Sequence, residues 1–280
     1  MKLFIFSLVL VFMNSVFAAF DRPESVYVDS KYIYVSNMSG AGNLKDGIGW
    51  ISKLNKKGQV LQEQWVKGLN APKGLGVFKG QLYTSDIDEI VVIDIAKTSI
   101  QKISIPGAKL LNDISIDPTG NVYISDTFGA KIFKLDQATK KVSEVVSLKD
   151  APNGLLLVGD MLYIAGYGKP KADGTGMEDG PKGGLSSYNL VSGELKSIIP
   201  DIGKIDGIQM LKDGKVVISV KLDEALYWVD LKEGRITGSL RGSSSIATFT
   251  DVADMGYDPT ADLLYVPNTK THDIQKIRLK

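Results

Sequence analysis

The feature that most constrains this 280-residue chain is an internal repeat. Short segments of alternating apolar and polar residues, rich in Val, Ile, Tyr and Thr, recur between turns of Gly, Asp, Asn and Pro, which is typical of half-buried β-strands. No segment of the repeat region keeps a helical period. Six copies can be superimposed on the residue that opens the first strand of each: Glu24, Lys73, Asn112, Asn153, Asp206 and Ala253. Successive copies are thus 39 to 53 residues apart.

That spacing matches one four-stranded blade of a β-propeller, for which about 40 to 50 residues is typical. Each copy continues with a second and a third strand, and turns such as Lys57-Gly58 and Glu233-Gly234 precede the fourth. The sixth copy reaches the end of the chain before its fourth strand. The sequence predicts an all-β, six-bladed β-propeller that forms a single domain over residues 19–280. Its last blade is closed by a very short N-terminal strand or not at all.

Residues 1–18 have the pattern of a signal peptide. Lys2 provides a charged start, Leu3 to Met13 is apolar apart from Ser7, and Val16-Phe17-Ala18 places small or permissive residues before a cleavage site. The apolar stretch is shorter than the roughly 20 residues of a membrane span. We expect an exported protein, periplasmic or secreted, with no membrane insertion after cleavage. The alternative is an uncleaved anchor.

The residue counts exclude several kinds of site and partner. The chain has no Cys and one His, which excludes disulfides, thiolate nucleophiles, zinc ribbons and multi-His metal centres. It has 33 Lys plus Arg against 32 Asp plus Glu, and no basic run is longer than two residues. A nucleic-acid partner is therefore not expected, because binding a phosphate backbone needs a basic excess or a basic face. A bound metal would be held mainly by oxygen, which favours calcium, magnesium or manganese.

In a propeller, the residues that open the inner strands converge on the central axis. Four of the six carry a carboxylate or an amide: Glu24, Asn112, Asn153 and Asp206. Two carboxylates in one recess repel each other unless a divalent cation neutralises them. The sequence therefore predicts a central metal-binding tunnel. The alternative is that these residues are ordinary turn residues, since Asn and Asp are common where a strand leaves a turn.

Two long loops should lie at the same face as this ring. The connection from second to third strand spans residues 38–49 in the first repeat and 166–184 in the fourth. Loops of this length are often lids or binding walls. For the second one, which is rich in Gly, Asp and Lys, a disordered surface loop is the alternative.

Four signatures give the chain a resemblance to a known family: Pro23-Glu24, Asn112-Asp113 followed by Asp117-Pro118-Thr119-Gly120, Pro152-Asn153-Gly154-Leu155, and Asp206-Gly207. With these, the chain resembles the gluconolactonase/regucalcin (senescence marker protein) family of six-bladed propellers, which is related to diisopropyl fluorophosphatase. The resemblance implies one divalent cation in the tunnel, calcium first, with magnesium, manganese or zinc as alternatives. Glu24, Asn153 and Asp206 would be its ligands, and Asn112 a fourth ligand or a substrate contact.

The resemblance also implies an activity, the hydrolysis of a small-molecule lactone or related ester. Asp206 would act as general base or nucleophile, and Asn112 would stabilise the developing oxyanion. Two departures weaken sugar specificity. Leu110 stands where lactone-hydrolysing members often have Arg, and Lys73 brings a positive charge into the ring. Lys73 would bind a substrate anion, pair with a carboxylate or point outward.

A second interpretation is a non-enzymatic propeller that binds a protein, glycan or peptide. Ser125-Asp126-Thr127-Phe128-Gly129 resembles the turn of NHL repeats, which are mostly interaction modules. This interpretation predicts no metal dependence. A Ser-His-Asp site around His272 is disfavoured, because the chain contains no Gly-x-Ser-x-Gly turn and His272 lies in a predicted loop.

Overall fold

A computed structural model gives the structure of residues 20–242 and 247–279. The predicted signal peptide, residues 1–18, lies outside the described residues and stays a prediction. No helix in the described part of the chain is long and apolar enough to cross a membrane.

The described residues form 23 strands in six antiparallel sheets, numbered blade 1 to blade 6 in chain order. Blade 1 contains β1 (Pro23–Val28), β2 (Tyr32–Asn37), β3 (Gly49–Asn55) and β4 (Val60–Leu69). Blade 2 contains β5 (Pro72–Phe78), β6 (Gln81–Asp86), β7 (Glu89–Asp94) and β8 (Ile100–Ser104). Blade 3 contains β9 (Leu111–Ile116), β10 (Val122–Asp126), β11 (Lys131–Leu135) and β12 (Val142–Ser147).

The second half of the ring repeats this plan. Blade 4 contains β13 (Pro152–Val158), β14 (Met161–Gly166), β15 (Gly183–Asn189) and β16 (Leu195–Gly203). Blade 5 contains β17 (Ile205–Met210), β18 (Val216–Val220), β19 (Ala225–Asp230) and β20 (Arg235–Arg241). Blade 6 contains β21 (Gly256–Asp258), β22 (Leu263–Asn268) and β23 (Asp273–Arg278).

Each sheet is a meander in which neighbours in sequence are neighbours in space. From blade 1 to blade 5 the first strand of each blade packs against that of the next, and a parallel bridge between Ser25 and Asp254 joins blade 1 to blade 6. The prediction of an all-β, six-bladed propeller is confirmed. Burial falls from the axis outwards: all five residues of β10 are buried, whereas none of β12, at the edge of the same sheet, is fully buried. The core therefore consists of apolar faces packed between adjacent blades.

The inner strands of the first five blades share a β-bulge at the residues that open the repeats. In blade 1, Pro23 pairs with Asn37 and Val26 pairs with Val35. Two residues of β1 therefore lie between these pairs, opposite a single residue of β2. The bulge turns two consecutive residues out of the ladder, and in the other blades these are Lys73-Gly74, Asn112-Asp113, Asn153-Gly154 and Asp206-Gly207. The repeat positions identified in the sequence are thus the positions that the backbone aims at the axis.

Serine hydroxyls on the second strands stabilise these bulges. In blade 3 the Asp113 N–H, which the bulge removes from the ladder, donates to Ser125 Oγ at 2.9 Å. The same hydroxyl donates to the Asn153 carbonyl of blade 4 at 2.7 Å. Ser219 makes the equivalent pair of contacts, with Gly207 N at 2.8 Å and Ala253 O at 2.9 Å. One hydroxyl therefore fixes the bulge of its own blade and the position of the ring residue in the next.

Blade 6 departs from the pattern in two ways. Its inner strand begins at Gly256 rather than at Ala253, because residues 252 and 254 make only isolated bridges. In the described residues its sheet has three strands, and no N-terminal strand is added to it. Side-chain hydrogen bonds connect blade 6 to β1 at the junction of the first and last blades, which we call the seam. Ser25 Oγ donates to Asp254 Oδ2 at 2.6 Å, and Thr269 Oγ1 donates to Pro23 O at 3.2 Å.

The Ser125→Ala variant should lose about 1–3 kcal/mol of unfolding free energy, because it leaves the buried Asp113 N–H without its acceptor. Urea unfolding measures this loss. Ser197→Ala, an exposed position on β16, is the control and should stay within about 0.5 kcal/mol of wild type. Equal effects of the two substitutions would contradict the role assigned to the Ser125 hydroxyl.

Candidate functional site

The six residues that open the repeats form one buried ring at one end of the axis, which we call the mouth. Each is at most 6% exposed; the ring consists of Glu24, Lys73, Asn112, Asn153, Asp206 and Ala253. Glu24, Lys73 and Asp206 come from blades 1, 2 and 5, and the pKa of each is shifted by the charge of another ring member. The structure therefore brings all the predicted site residues to one place.

Three predicted metal ligands each present an oxygen without a partner. Among the described residues, four buried side-chain polar atoms have no hydrogen-bond partner, and three of them are Glu24 Oε2, Asn153 Oδ1 and Asp206 Oδ1. The fourth is the Tyr34 hydroxyl. An unpaired buried acceptor costs free energy of about 1–3 kcal/mol, more for a charged group, so such atoms are rare without a functional reason. These three oxygens fit a group that supplies positive charge or hydrogen-bond donors.

Two buried lysines lie beside the ring carboxylates. Lys221 begins the loop from β18 to β19, and its Nζ lies 3.0 Å from Asp206 Oδ2 and 3.8 Å from Asp251 Oδ1. Lys73 is 4% exposed, and its Nζ donates to the carbonyls of Gly42 at 2.6 Å and Ala71 at 3.1 Å. Lys73 therefore does not point outward, and the two lysines place positive charge beside Glu24 and Asp206.

Burial and neighbouring charges set the protonation of these groups. Burial, reinforced by the Asp206 carboxylate, raises the pKa of Glu24 from its ordinary 4.5 to about 8. Burial lowers the pKa of Lys73 from 10.5 to about 8, although Glu24 opposes that change. Burial disfavours the charged form of Lys221, but the surrounding charges of Asp206, Tyr167, Asp251 and Glu24 together outweigh burial and raise the pKa of Lys221. Burial also raises the pKa of Asp206, and the Lys221 ammonium beside it opposes that rise. Glu24 is largely protonated at neutral pH when no cation is present.

Directly below the ring, the residue that follows each ring residue in the sequence forms a second layer. It contains two carboxyls, Asp113 and Asp254, and three glycines. A Cβ on Gly207 would lie 2.5 Å from Asp254 Oδ1, so the approach of the strands requires glycine there. Burial raises the pKa of Asp113 to about 8, and Asp254, whose pKa is also raised by burial, is further affected by the Asp113 charge. This layer lines one part of a channel of about 210 Å³, whose exposed wall surface is mainly polar and includes Asp113 and Asp254.

The two long loops both lie at the mouth. The blade 1 loop connects β2 to β3 and is held to the ring by the Lys73 hydrogen bond to Gly42 O. The blade 4 loop folds into a small hairpin, with a bridge between Pro170 and Met177 and a hydrogen bond from Glu178 N to Lys169 O at 2.8 Å. The alternative of a disordered blade 4 loop does not agree with these contacts. Both loops form walls around the ring.

Sequence reasoning missed Lys221, Asp113 and Asp254 as members of the site. A signal for Lys221 was present, because the residue after a second strand always starts a mouth-side loop, and Tyr167 occupies the same position in blade 4. The signal for the lower carboxyls was the shared Asp in Asn112-Asp113 and Ala253-Asp254. For Asp113 it is the bulge, which turns two residues rather than one towards the axis, that makes the position part of the site.

His272 has a structural partner instead of a catalytic one. Its Nδ1 accepts the Arg22 N–H at 3.3 Å and lies 2.8 Å from Asp21 Oδ1. These contacts hold Asp21 and Arg22, just before β1, against the β22–β23 loop of blade 6. Among the described residues, no group of three or more His, Cys, Asp or Glu side chains could hold a metal ion. A metal at the mouth would therefore depend on the amides of Asn112 and Asn153 as well as on the two carboxylates.

Comparison with known proteins supports the fold without naming a family. No family model matches the chain, and no curated protein sequence matches it. Membership of the gluconolactonase/regucalcin family therefore stays a prediction.

Solved structures that share the fold have different descriptions. An auxiliary nutrient binding protein from Bacteroides thetaiotaomicron aligns with a TM-score of 0.71 at 10% identity, over 92% of this chain and 69% of that one. Virginiamycin B lyase from Staphylococcus aureus aligns with a TM-score of 0.65 at 13% identity, over 96% and 98%. A protein of unknown function from Bacteroides thetaiotaomicron aligns with a TM-score of 0.72 at 13% identity, over 95% and 72%. At such identities the likeness shows the propeller fold alone.

The Glu24→Gln variant should change how stability depends on pH in buffer containing a chelator. The folded-state pKa of about 8 exceeds the ordinary 4.5, so Glu24 stabilises the fold fully below pH 4.5 and this contribution is lost as the pH rises to about 8. Glutamine does not titrate. The unfolding free energy of the variant should therefore fall less than that of wild type between about pH 5 and about pH 8, measured by urea unfolding.

Glu194→Gln, at an exposed position in the turn before β16, is the matched control and should keep the wild-type slope. A Glu24→Gln slope equal to that of wild type would show that Glu24 titrates as an exposed carboxyl does.

Proposed function

We propose that the protein is an exported, divalent-cation-dependent hydrolase of a lactone or related ester, with its active site at the mouth of the propeller. The observation that carries this proposal is the set of partnerless oxygens on Glu24, Asn153 and Asp206. These are the residues that the sequence resemblance implies as metal ligands.

The donor set fits a hard cation. Calcium takes six to eight oxygen ligands at about 2.3–2.6 Å, and it accepts carboxylate and amide oxygens alike. Glu24, Asn153 and Asp206 would hold the ion, and Asn112 would be a fourth ligand or a substrate contact. Magnesium and manganese accept the same donors, whereas zinc prefers the His and Cys ligands that this ring lacks. Binding a cation would also remove the cost of the three unpaired oxygens and favour ionised Glu24.

A cation bound here would supply Lewis-acid polarisation of the substrate carbonyl and a lowered pKa of an adjacent water. Asp206 is suited to accept a proton from that water, because the Lys221 ammonium at Oδ2 favours the ionised carboxylate while Oδ1 has no partner. The Asn112 amide would donate to the developing oxyanion. Lys73, held to the blade 1 loop, would fix the wall against which the substrate binds. In the nucleophilic variant of the mechanism, Asp206 would attack the substrate itself.

The alternative is a binding module without catalysis, in which a small molecule or a protein occupies the mouth. Two observations favour it. Lys73 and Lys221 already place positive charge beside the two ring carboxyls. One structure with the same fold is described as a nutrient binding protein. This alternative requires no cation, so the two functions are separated by one titration. Neither of them involves nucleic acid.

Calcium should raise the melting temperature and support hydrolysis of members of a lactone panel, and a chelator should reverse both effects. Asp206→Asn should lower turnover by about 10²–10⁴-fold, the typical contribution of a general base, while circular dichroism shows the fold intact. Asp213→Asn, at an exposed turn of the same blade, is the control and should keep wild-type turnover. If chelator changes neither melting nor turnover, the hydrolase proposal is wrong and the binding alternative stands.

A further inference from the structure

An apolar cluster lies at the mouth itself, outside the strands that pack between blades. Its members, which we call the mouth cluster, are the buried residues Met38, Ala71, Ile87 and Leu110, with the partly exposed Phe128 packed against them. All five belong to mouth-side connections of blades 1 to 3. The other apolar clusters of the described residues consist mainly of strand residues. Packing between the sheets therefore does not account for the mouth cluster.

The residue that follows the second strand has a different character on the two sides of the mouth. It is Met38, Ile87 and Thr127 in blades 1 to 3, and Tyr167, Lys221 and Thr269 in blades 4 to 6. Met38 and Ile87 belong to the mouth cluster, whereas Lys221 contacts the Asp206 carboxyl. The mouth therefore has an apolar side over blades 1 to 3 and a polar side over blades 4 to 6.

Ile87 keeps its apolar side chain at a strained backbone position. Ile87 and Asp88 form the two-residue turn between β6 and β7, and the φ angle of Ile87 is 61°. Gly or Asn ordinarily takes this conformation, because a β-branched side chain is strained there. Such strain is typical of functional sites. The Ile87 carbonyl accepts the Leu111 N–H at 2.7 Å, so the strained turn lies directly beside Asn112 of the ring.

The blade 1 loop continues the apolar surface towards solvent. Lys45 Nζ on this loop lies 2.6 Å from Asp88 Oδ2, which ties the loop to the strained turn, and the hydrogen bond from Lys73 to Gly42 O ties it to the ring. Leu44, on the same loop, is 53% exposed, and Ile48 is 51% exposed. Exposed apolar side chains beside an apolar cluster are typical of a surface that a ligand covers.

The position and size of this surface favour a small molecule as its occupant. The surface is continuous with the ring, because Leu110 precedes Asn112 by two residues and its carbonyl accepts the Thr127 N–H at 2.8 Å. A stable protein interface buries about 800 Å² on each partner, more than the few exposed apolar side chains here supply. The occupant is therefore the apolar part of a small molecule whose polar part binds the ring.

We propose that the substrate carries an apolar substituent, an alkyl or aryl group, that lies against Leu44 and Phe128 while the reacting carbonyl lies over the ring. This inference rests on the proposed function for the identity of the reacting group, whereas the apolar subsite itself needs no cation. Leu44 and Phe128 are the specificity-determining residues. Sugar lactones are poor substrates, because their hydroxyls would leave water for a surface that offers them no hydrogen-bond partners.

The test measures how affinity depends on the length of an alkyl substituent. The probes are 2-pyrrolidinone and 5-butyl-2-pyrrolidinone, lactams that resemble lactones and resist hydrolysis, and binding is measured by NMR titration. Burial of one methylene group corresponds to about fourfold in affinity, so wild type should bind the butyl lactam at least about tenfold more tightly. Leu44→Ser and Phe128→Ser should each lower that ratio at least about threefold. Leu61→Ser, equally exposed on β4, is the matched control and should keep it.

Equal affinity of wild type for the two lactams would overturn the inference, even if Phe128→Ser fails to fold. So would a ratio that Leu44→Ser and Phe128→Ser both leave unchanged, or one that Leu222→Ser, an exposed position on the polar side of the mouth, lowers as much as they do. Failure of the proposed function is read separately. Calcium-dependent hydrolysis with equal kcat/KM for γ-butyrolactone and its butyl derivative contradicts only the apolar subsite. Tighter binding of the butyl lactam without calcium-dependent hydrolysis of any lactone contradicts only the hydrolase.

Discussion

The structure of the mouth depends on the bulge in the inner strands, which leaves a buried backbone N–H of each bulged strand without a partner in the sheet. An extra residue in the inner strand removes one buried N–H from the ladder, and an unpaired N–H at the axis would be costly. A serine hydroxyl of the second strand accepts that N–H and donates to the carbonyl of the next ring residue, as Ser125 and Ser219 do. The geometry of the ring is therefore set by the scaffold rather than by a ligand.

This constraint explains why the site can hold several charges in a small space. The bulge aims two residues of each inner strand at the axis, so polar side chains lie in two layers, and glycines such as Gly207 give the carboxyls of the lower layer the room they need. Lys221 Nζ donates a hydrogen bond to Asp206, whereas Glu24 Oε2 has no partner and burial raises the pKa of Glu24 to about 8. The two carboxyls of the ring are therefore in different environments although they lie at equivalent positions in their blades. Shifted pKa values and different surroundings of this kind are typical of sites for acid–base chemistry or cation binding.

The repeat spacing was sufficient to predict the propeller, since six copies of about one blade each leave little choice of architecture. The opening residues, from Glu24 to Ala253, could be predicted as a ring because the alignment places them at equivalent points. Lys221 could be placed at the mouth, as the first residue after a second strand, but its contact with Asp206 depends on a three-dimensional path that periodicity does not encode. Asp113 was visible in the Asn112-Asp113 signature, but its role depends on a bulge that a strict two-residue period does not predict.

The three-stranded last blade has a consequence for how the ring is completed. In the described residues no N-terminal strand joins the blade 6 sheet, so the seam consists of an apolar cluster that includes Val26 of blade 1 and Tyr265 of blade 6, and of hydrogen bonds such as Ser25–Asp254, between residues 229 positions apart. Contacts of such long range are the last to form, because the whole intervening chain must be ordered before they can be made. The contact between blades 1 and 6, next to Glu24, is therefore the last to form on folding and the first to break on unfolding. Because Glu24 belongs to the mouth, a ligand that binds Glu24 also stabilises this contact. Closure of the propeller is thus coupled to ligand binding at its centre.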